Sequence, residues 1–349
     1  MKTEIISTVG KPDAGTSRGA EIIRNGGLVA FPTETVYGLG ANGLDGEAVK
    51  TIFEAKGRPS DNPLILHVAK KSDVRALWDR VPDTARRLMD AFWPGPLTII
   101  CKRHPRVPDE VTAGLDTVAV RMPLDRTARM LIEKAGVPIA APSANLSGKP
   151  SPTTAQDVFT DMDGRIPLIL DGGACKYGVE STVISLVGKP TILRPGAATK
   201  EMLEAVIGPV EVAGSILSPM KAGEVAASPG MKYKHYAPNA EVIVVTGEAR
   251  NAAARIKAMY REYEAEGKSV SIAATEETKK FYNSEKYVIL GSRIHSETLC
   301  ANLFRELREL DTESDVILAE GIPPESYGLA FMNRLLRSAG FHVVNADDV

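Results

Sequence analysis

Cysteine is scarce in this sequence: Cys101, Cys175 and Cys300 are the only three among 349 residues, far apart and without a CxxC pair. That spacing excludes a disulfide framework and a cysteine-rich zinc site, and a reducing cytoplasm is the compartment it suits. An excess of either charge is missing as well. With 42 Lys and Arg against 44 Asp and Glu the formal charge is -2, so the chain as a whole does not draw nucleic acid or an anionic membrane, and any anion site must be local. No apolar run approaches the roughly 20 residues of a membrane helix, and the first residues lack the apolar stretch of a signal peptide. A phosphate-binding loop of the GxxxxGK kind is absent too: the Gly-Lys pairs beginning at Gly10, Gly148, Gly188 and Gly267 all lack the earlier glycine. The histidines, His67, His104, His235, His295 and His342, are scattered, and none belongs to an HExxH metal pair.

What remains is an ordinary globular composition, 44% hydrophobic and 25% charged. The chain is longer than one hydrophobic core usually supports, which predicts two domains. GGLVAFPT (26–33) reads as a buried strand, and EAVKTIFEAKG (47–57) as a helix with Val49, Ile52 and Phe53 on one face. PLILHVA (63–69), PLTIICK (96–102), TVAVRMP (117–123), VPIAAP (137–142), PLILDGG (167–173) and STVISLV (181–187) are strands rich in β-branched residues. Helices near 83–92, 125–135, 153–161 and 200–206 lie between them. This alternation predicts an α/β domain over 1–208, its sheet covered by helices. The rhythm lapses over 209–240, read as a linker containing several Gly and Pro. It resumes with strands at 241–247, 269–275, 287–291 and 315–321 and helices at 249–266 and 296–310, a smaller α/β domain over 241–349 with a mainly parallel sheet.

Two strings resemble chemical motifs but read as structure. GLGANG (38–43) has the glycines of the dinucleotide fingerprint, yet PTETVY separates them from the strand before, so they are read as turn glycines. GTSRG (15–19) has the nucleophile-elbow pattern around Ser17, but no strand precedes it, and a serine or threonine capping a helix is the reading adopted.

The stretch EAKGRPSDNPLILHV (54–68) puts Lys56 and Arg58 at a helix end ahead of a strand. Cations there gain a few tenths of a kcal/mol from the helix dipole in any protein. Other segments give the pair more meaning. Arg121 ends a strand, a position that faces the ligand crevice of an α/β sheet. APSANLSGKPSPTT (141–154) supplies Ser143, Asn145, Ser147, Ser151 and Thr153, while GVESTVI (178–184) and LRPG (193–196) add Ser181 and Arg194. Lys56, Arg58, Arg121 and Arg194 all lie at ends of regular elements, so they can converge on one polyanion.

PTETVYGLGAN, KGRPSDNPLILHV, FWPGPLT, VAVRMP, APSANLSGKPSPT, ESTVI, LRPG and SPGMKYKHYAP together resemble the threonylcarbamoyl-AMP synthase family, in its order and spacing. YGLAFMNRLLRSAG (327–340) resembles the end of that family's long form. The resemblance implies a YrdC-like α/β domain, an open twisted mixed sheet with helices and a concave cationic site, followed by a smaller Rossmann-like α/β domain. It implies a nucleotidyltransferase that converts L-threonine, bicarbonate or CO2, and ATP with Mg²⁺ into threonylcarbamoyl-AMP and pyrophosphate. The product would pass to a tRNA threonylcarbamoyl transferase for modification of tRNA position 37; a weak RNA contact is expected and a membrane partner is not. Carried over, Lys56 and Arg58 are the catalytic pair and hold the triphosphate with Asn62, while Thr117, Asn145, Ser151, Arg194 and Tyr236 complete the ATP site. Thr35, His67, Arg121, Ser143 and Ser181 surround threonine, with Arg121 suited to its carboxylate. Mg²⁺ is expected on the ATP phosphates, and SPGMKYKHYAP (228–238) as a lid over the site. Two readings stand beside this one. A carbamoyl-adenylate activity of the hydrogenase-maturation kind lacks its zinc-binding cysteine pairs here, and an RNA-binding module would show steeply salt-dependent affinity.

Overall fold

The structure, a computed structural model, describes residues 2–219 and 236–348. Residues 220–235 lie outside the described residues, and with them 228–235 of the expected lid, including Lys232, Tyr233, Lys234 and His235. The chain forms two units. One takes in the chain as far as Ser147 together with Ser151–Ile216; the other takes in Gly148–Pro150, Leu217–Pro219 and the chain beyond the linker.

In the first unit the elements run β1 (Glu4–Ser7), α1 (Asp13–Arg24), β2 (Val29–Phe31), β3 (Gly38–Asn42), α2 (Gly46–Lys56), β4 (Ile65–His67), α3 (Asp83–Phe92), β5 (Leu97–Lys102), α4 (Asp109–Thr112) and β6 (Thr117–Arg121). They continue with α5 (Arg126–Ala135), β7 (Ile139–Ala141), α6 (Ala155–Met162), β8 (Leu168–Asp171), β9 (Thr182–Ser185), β10 (Thr191–Arg194), α7 (Lys200–Ile207) and β11 (Glu211–Val212). The eleven strands form one mixed sheet in the order β1-β8-β2-β3-β7-β4-β6-β5-β9-β10-β11. Helix ends follow capping chemistry. Asp45 accepts from the backbone N–H of Glu47 and Ala48 to start α2, and Gly57, at φ 60°, closes it in the left-handed region that glycine enters without strain. Asp125 starts α5 in the same way by accepting from Ala128 N–H at 2.9 Å. The core under α1 and α5 is apolar, with Ile23, Val29, Phe31, Leu131, Ile139 and Leu168 fully buried, each worth about 1.5–3 kcal/mol of transfer free energy.

Two expectations are corrected here. Ser17 and Thr16 do not cap a helix, because α1 already begins at Asp13 after Pro12; Ser17 Oγ instead donates back to Asp13 O at 2.8 Å. Gly15 and Gly19 sit on the buried face, and a Cβ on Gly19 would lie 2.8 Å from Leu131 Cδ1, so they let the helix settle close to its neighbours. Of the GLGANG glycines, Gly38 and Gly40 are likewise not turn residues, whereas Gly43 does lie in a turn, directly after the strand. Gly38–Asn42 is β3, paired antiparallel to both β2 and β7, and a Cβ on Gly40 would meet Ile139 Cγ2 at 2.6 Å and Phe31 Cε1 at 2.8 Å. The glycines mark close approach of neighbouring side chains onto a strand. β1 escaped the sequence reading because its burial follows no period of two.

The second unit holds β12 (Glu241–Thr246), α8 (Ala249–Ala265), β13 (Val270–Thr275), β14 (Tyr287–Gly291), α9 (Ser296–Leu310), β15 (Val316–Glu320), α10 (Tyr327–Ser338) and β16 (Val343–Asn345). Its five strands are ordered β14-β13-β15-β12-β16, and every pairing is parallel. Among the described residues, no helix is long and apolar enough to cross a membrane.

The glycine contacts give a stability ranking. Gly40→Ala meets side-chain atoms that can shift, and should destabilise by about 1–3 kcal/mol. A Cβ on Gly196 would meet backbone atoms, Thr182 N at 2.4 Å and Glu180 O at 2.6 Å, so Gly196→Ala should cost more. Urea unfolding midpoints of the two variants check the order; equal midpoints to wild type would refute the close-approach account.

Candidate active site

A row of residues crosses five adjacent strands, β4, β6, β5, β9 and β10, within the first unit's sheet. His67 on β4 is in register with Arg121 on β6, Arg121 with Thr98 on β5, Thr98 with Val183 on β9, and Val183 with Arg194 on β10. Paired residues in adjacent strands point to the same face, so His67, Arg121, Thr98 and Arg194 share one surface. All four are buried. Thr98 Oγ1 lies 2.8 Å from Ser181 Oγ, which also accepts from Arg194 Nη2 at 3.2 Å, while Arg194 Nε donates to Ser181 O at 3.1 Å.

The loop between β2 and β3 brings two hydroxyls and a carboxylate onto this face. Thr33 Oγ1 accepts from Thr35 N and Val36 N and donates to Val36 O at 2.6 Å, a tight local turn that presents Glu34 and Thr35. Arg121 then uses each guanidinium nitrogen once, donating from Nε to Gly95 O at 3.2 Å, from Nη1 to Thr35 Oγ1 at 2.9 Å and from Nη2 to Glu34 Oε1 at 2.6 Å. A guanidinium has five N–H donors, so two on Arg121 have no partner among the described residues. His67 Nδ1 donates to Ile65 O at 3.2 Å, and its ring meets Phe31 edge-on at 5.9 Å. Burial, with the Arg121 and Arg194 charges beside it, pushes the His67 pKa down to about 3, so the imidazole is neutral at physiological pH. Burial also raises the thiol of Cys175, in the loop between β8 and β9, well above its ordinary range, which disfavours a thiolate there.

A second group gathers at the end of α2. Lys56 would stay in water as a simple helix-end cation, but only 2% of it is exposed. Its Nζ donates to the carbonyls of Ser143 and Asn145, and Ser147 N donates to Lys56 O at 2.9 Å, so the helix end and the loop after β7 are tied together. Within that loop Ser143 Oγ donates to Asn145 Oδ1 at 2.5 Å. Arg58, half-buried, donates to Asn62 O at 3.3 Å. Asn62 is 1% exposed, yet neither side-chain atom of its amide has a hydrogen-bond partner among the described residues. A buried amide in that state costs about 1–3 kcal/mol, which fits a position completed by a ligand. The two groups are linked through Tyr37, whose O accepts from Ala144 N and whose N donates to Pro152 O.

The remaining expected residues are placed as follows. Ser151 is fully buried and donates to Glu180 Oε1 at 2.6 Å, beside Ser181. Thr117 is half-buried at the opposite end of β6 from Arg121, about 13 Å away along the strand. Tyr236 belongs to the second unit, where its ring packs on Phe304 at 5.0 Å and under the Arg334 guanidinium at 5.7 Å. The sequence reading missed Glu34, Thr98 and Glu180, each bonded to a site residue. No period or charge pattern marks them; the one available signal for Glu34 is a lone acid in an otherwise neutral PTETVYG loop.

Comparison with known proteins matches both units. The family described as Telomere recombination matches residues 21–196, and the family described as Threonylcarbamoyl-AMP synthase, C-terminal domain, matches residues 198–340. The Threonylcarbamoyl-AMP synthase of Pyrococcus abyssi is 48% identical over 93% of this chain and 94% of its own length. That of Bacillus subtilis is 48% identical over 95% of each. A crystal structure of P. abyssi Sua5 complexed with L-threonine is similar with a TM-score of 0.91 at 46% identity, covering 98% of this chain and 99% of that one. With both units matched in this order and nearly its whole length shared with these relatives, the chain belongs to the threonylcarbamoyl-AMP synthase family.

Proposed function

We propose that this chain is an L-threonylcarbamoyladenylate synthase, forming threonylcarbamoyl-AMP and pyrophosphate from L-threonine, bicarbonate or CO2, and ATP. The observation that carries the reading is the pair of buried guanidiniums, Arg121 and Arg194, bonded to the hydroxyls of Thr35 and Ser181. Such a surface suits a small ligand with a carboxylate and a hydroxyl. The two N–H groups left on Arg121 can take the threonine carboxylate, and Thr35, Ser143 or Ser181 its hydroxyl. The neutral His67 adds no positive charge beside an ammonium that must lose its proton before it can attack carbon.

The threonine nitrogen captures CO2, or bicarbonate with loss of water, to give a carbamate. A carbamate oxygen then attacks the α-phosphorus of ATP, and pyrophosphate leaves. No covalent enzyme intermediate is needed, so the protein's task is positioning and charge stabilisation. Arg58, Lys56 and the unpartnered Asn62 amide would hold the triphosphate, with Thr117, Asn145, Ser151, Arg194 and Tyr236 as the further expected ATP contacts. Mg²⁺ would arrive on the phosphates; among the described residues no three His, Cys, Asp or Glu side chains gather into a protein metal site. A tRNA threonylcarbamoyl transferase would consume the adenylate.

Pyrophosphate release should require ATP, threonine and bicarbonate together, and undiminished release with threonine omitted would overturn the reading. Arg58→Ala should cut that release by roughly 10–100-fold while melting normally, since it removes a charge-assisted contact worth about 1.5–3 kcal/mol. Lys56→Ala should lose activity and also stability, because its ammonium ties two segments. Serine should be used roughly 10–200-fold less well than threonine, and valine up to about 10⁴-fold less well, because valine leaves buried hydroxyls unpaired; competition assays in which valine matches serine would contradict the pocket.

His67 generates a pH dependence of stability. Its native pKa of about 3 lies below the unfolded value of about 6.5, so between these the unfolded state binds the extra proton. The stabilisation is therefore complete above pH ~6.5 and lost as pH falls toward ~3, at about 1.4 kcal/mol per unit. Urea unfolding at pH 7 and pH 5 should show wild type losing about 2 kcal/mol more than His67→Gln; parallel losses would show that His67 is not held neutral.

A further inference from the structure

Glu34 is absent from the sequence-expected set of ligand contacts, yet it organises the residue best placed to recognise the substrate carboxylate. Its carboxylate is buried and divides its two oxygens between different tasks. Oε1 accepts from Arg121 Nη2 at 2.6 Å, while Oε2 accepts from Leu124 N at 2.9 Å and more loosely from Asp125 N at 3.4 Å. Its backbone O also accepts from Tyr177 N at 2.9 Å. Glu34 thus joins the β2–β3 loop, the Arg121 fork, the turn that starts α5 and the chain ahead of Ser181.

We propose that Glu34 is a positioning residue that aims the Arg121 guanidinium and thereby sets affinity and selectivity for the α-carboxylate of the amino-acid substrate. The proposal rests on the threonine-site reading above. Arg121 can rotate its fork about Nε only by giving up Glu34 or Thr35, and with both in place its two remaining N–H groups point in fixed directions. An amide at position 34 cannot reproduce this. Gln carries one acceptor oxygen: if it faces Arg121, its NH2 confronts the Leu124 N–H, and if it faces Leu124, its NH2 confronts the guanidinium. Either way one partner is lost, whereas the side-chain volume is kept.

The test compares Glu34→Gln, Glu34→Asp and Arg121→Ala with wild type in steady-state pyrophosphate release, with L-threonine and with L-threoninamide, which lacks the carboxylate. Glu34→Gln should raise the KM for threonine about tenfold or more, as expected for misdirecting a charge-assisted contact, and leave the KM for ATP within about twofold. The preference for threonine over threoninamide should fall by the same factor, a change that general loosening of the fold does not produce. If Glu34→Gln does not melt cooperatively, Glu34→Asp, which keeps the charge and both acceptors on a shorter arm, decides by the same ratio. Unchanged selectivity in a folded variant, or an equal rise in both KM values, overturns the proposal. Arg121→Ala separates the two levels: if it too leaves threonine KM and selectivity unchanged, the threonine-site reading fails; if it alone abolishes selectivity, only the role of Glu34 fails.

Discussion

Three cations buried in one unit are the constraint on which the site depends. Lys56, Arg121 and Arg194 are 2%, 3% and 6% exposed. An uncompensated buried charge costs several kcal/mol, so each must be surrounded by acceptors. Carbonyls of Ser143 and Asn145 serve Lys56, the Ser181 carbonyl and hydroxyl serve Arg194, and Glu34, Thr35 and the Gly95 carbonyl serve Arg121. Arg121 has a full counter-charge, Glu34, in direct contact, with side chains 4% and 5% exposed. The compensating acceptors come from loops rather than from within strands.

That dependence explains why the surrounding backbone is so closely packed. β3 can run between β2 and β7 because Gly40 has no side chain, and this strand anchors the far end of the loop that carries Glu34 and Thr35. Gly196 approaches the backbone of Glu180 and Thr182 closely enough to exclude a Cβ, which brings the chain just after Arg194 against Ser181. Rigid presentation of this sort suits phosphoryl transfer, where the protein contributes orientation and charge rather than a nucleophile. It also accounts for the behaviour of His67. Burial, assisted by the charges of Arg121 and Arg194, keeps the imidazole neutral.

Much of the architecture was legible in the sequence because it is written in local periodicity. Val49, Ile52 and Phe53 face inward on α2 as their spacing predicts, and the runs 63–69 and 117–123 contain strands that end at His67 and Arg121, within the site. The signal failed where tertiary packing decides. The glycines of β3 look like turn residues until Phe31 and Ile139 are placed beside them, and the helical position of Ser17 depends on where α1 starts at Asp13. Glu34 could not be found by any period, since its importance lies in meeting Arg121, 87 residues away. Lys56 and Arg58 were found as a pair, but their difference was not: one is buried and ties two segments, while the other stays half-exposed near the unpartnered Asn62 amide.

The most direct measurement of the central claim is a crystal structure of this chain with L-threonine bound. The account requires the α-carboxylate to take the two remaining N–H groups of Arg121 while the Glu34–Arg121 contact stays near 2.6 Å and the Thr35 or Ser181 hydroxyl meets the ligand. A carboxylate seated elsewhere, or an Arg121 that leaves Glu34 to reach it, would contradict the claim that the buried cations are aimed before the substrate arrives.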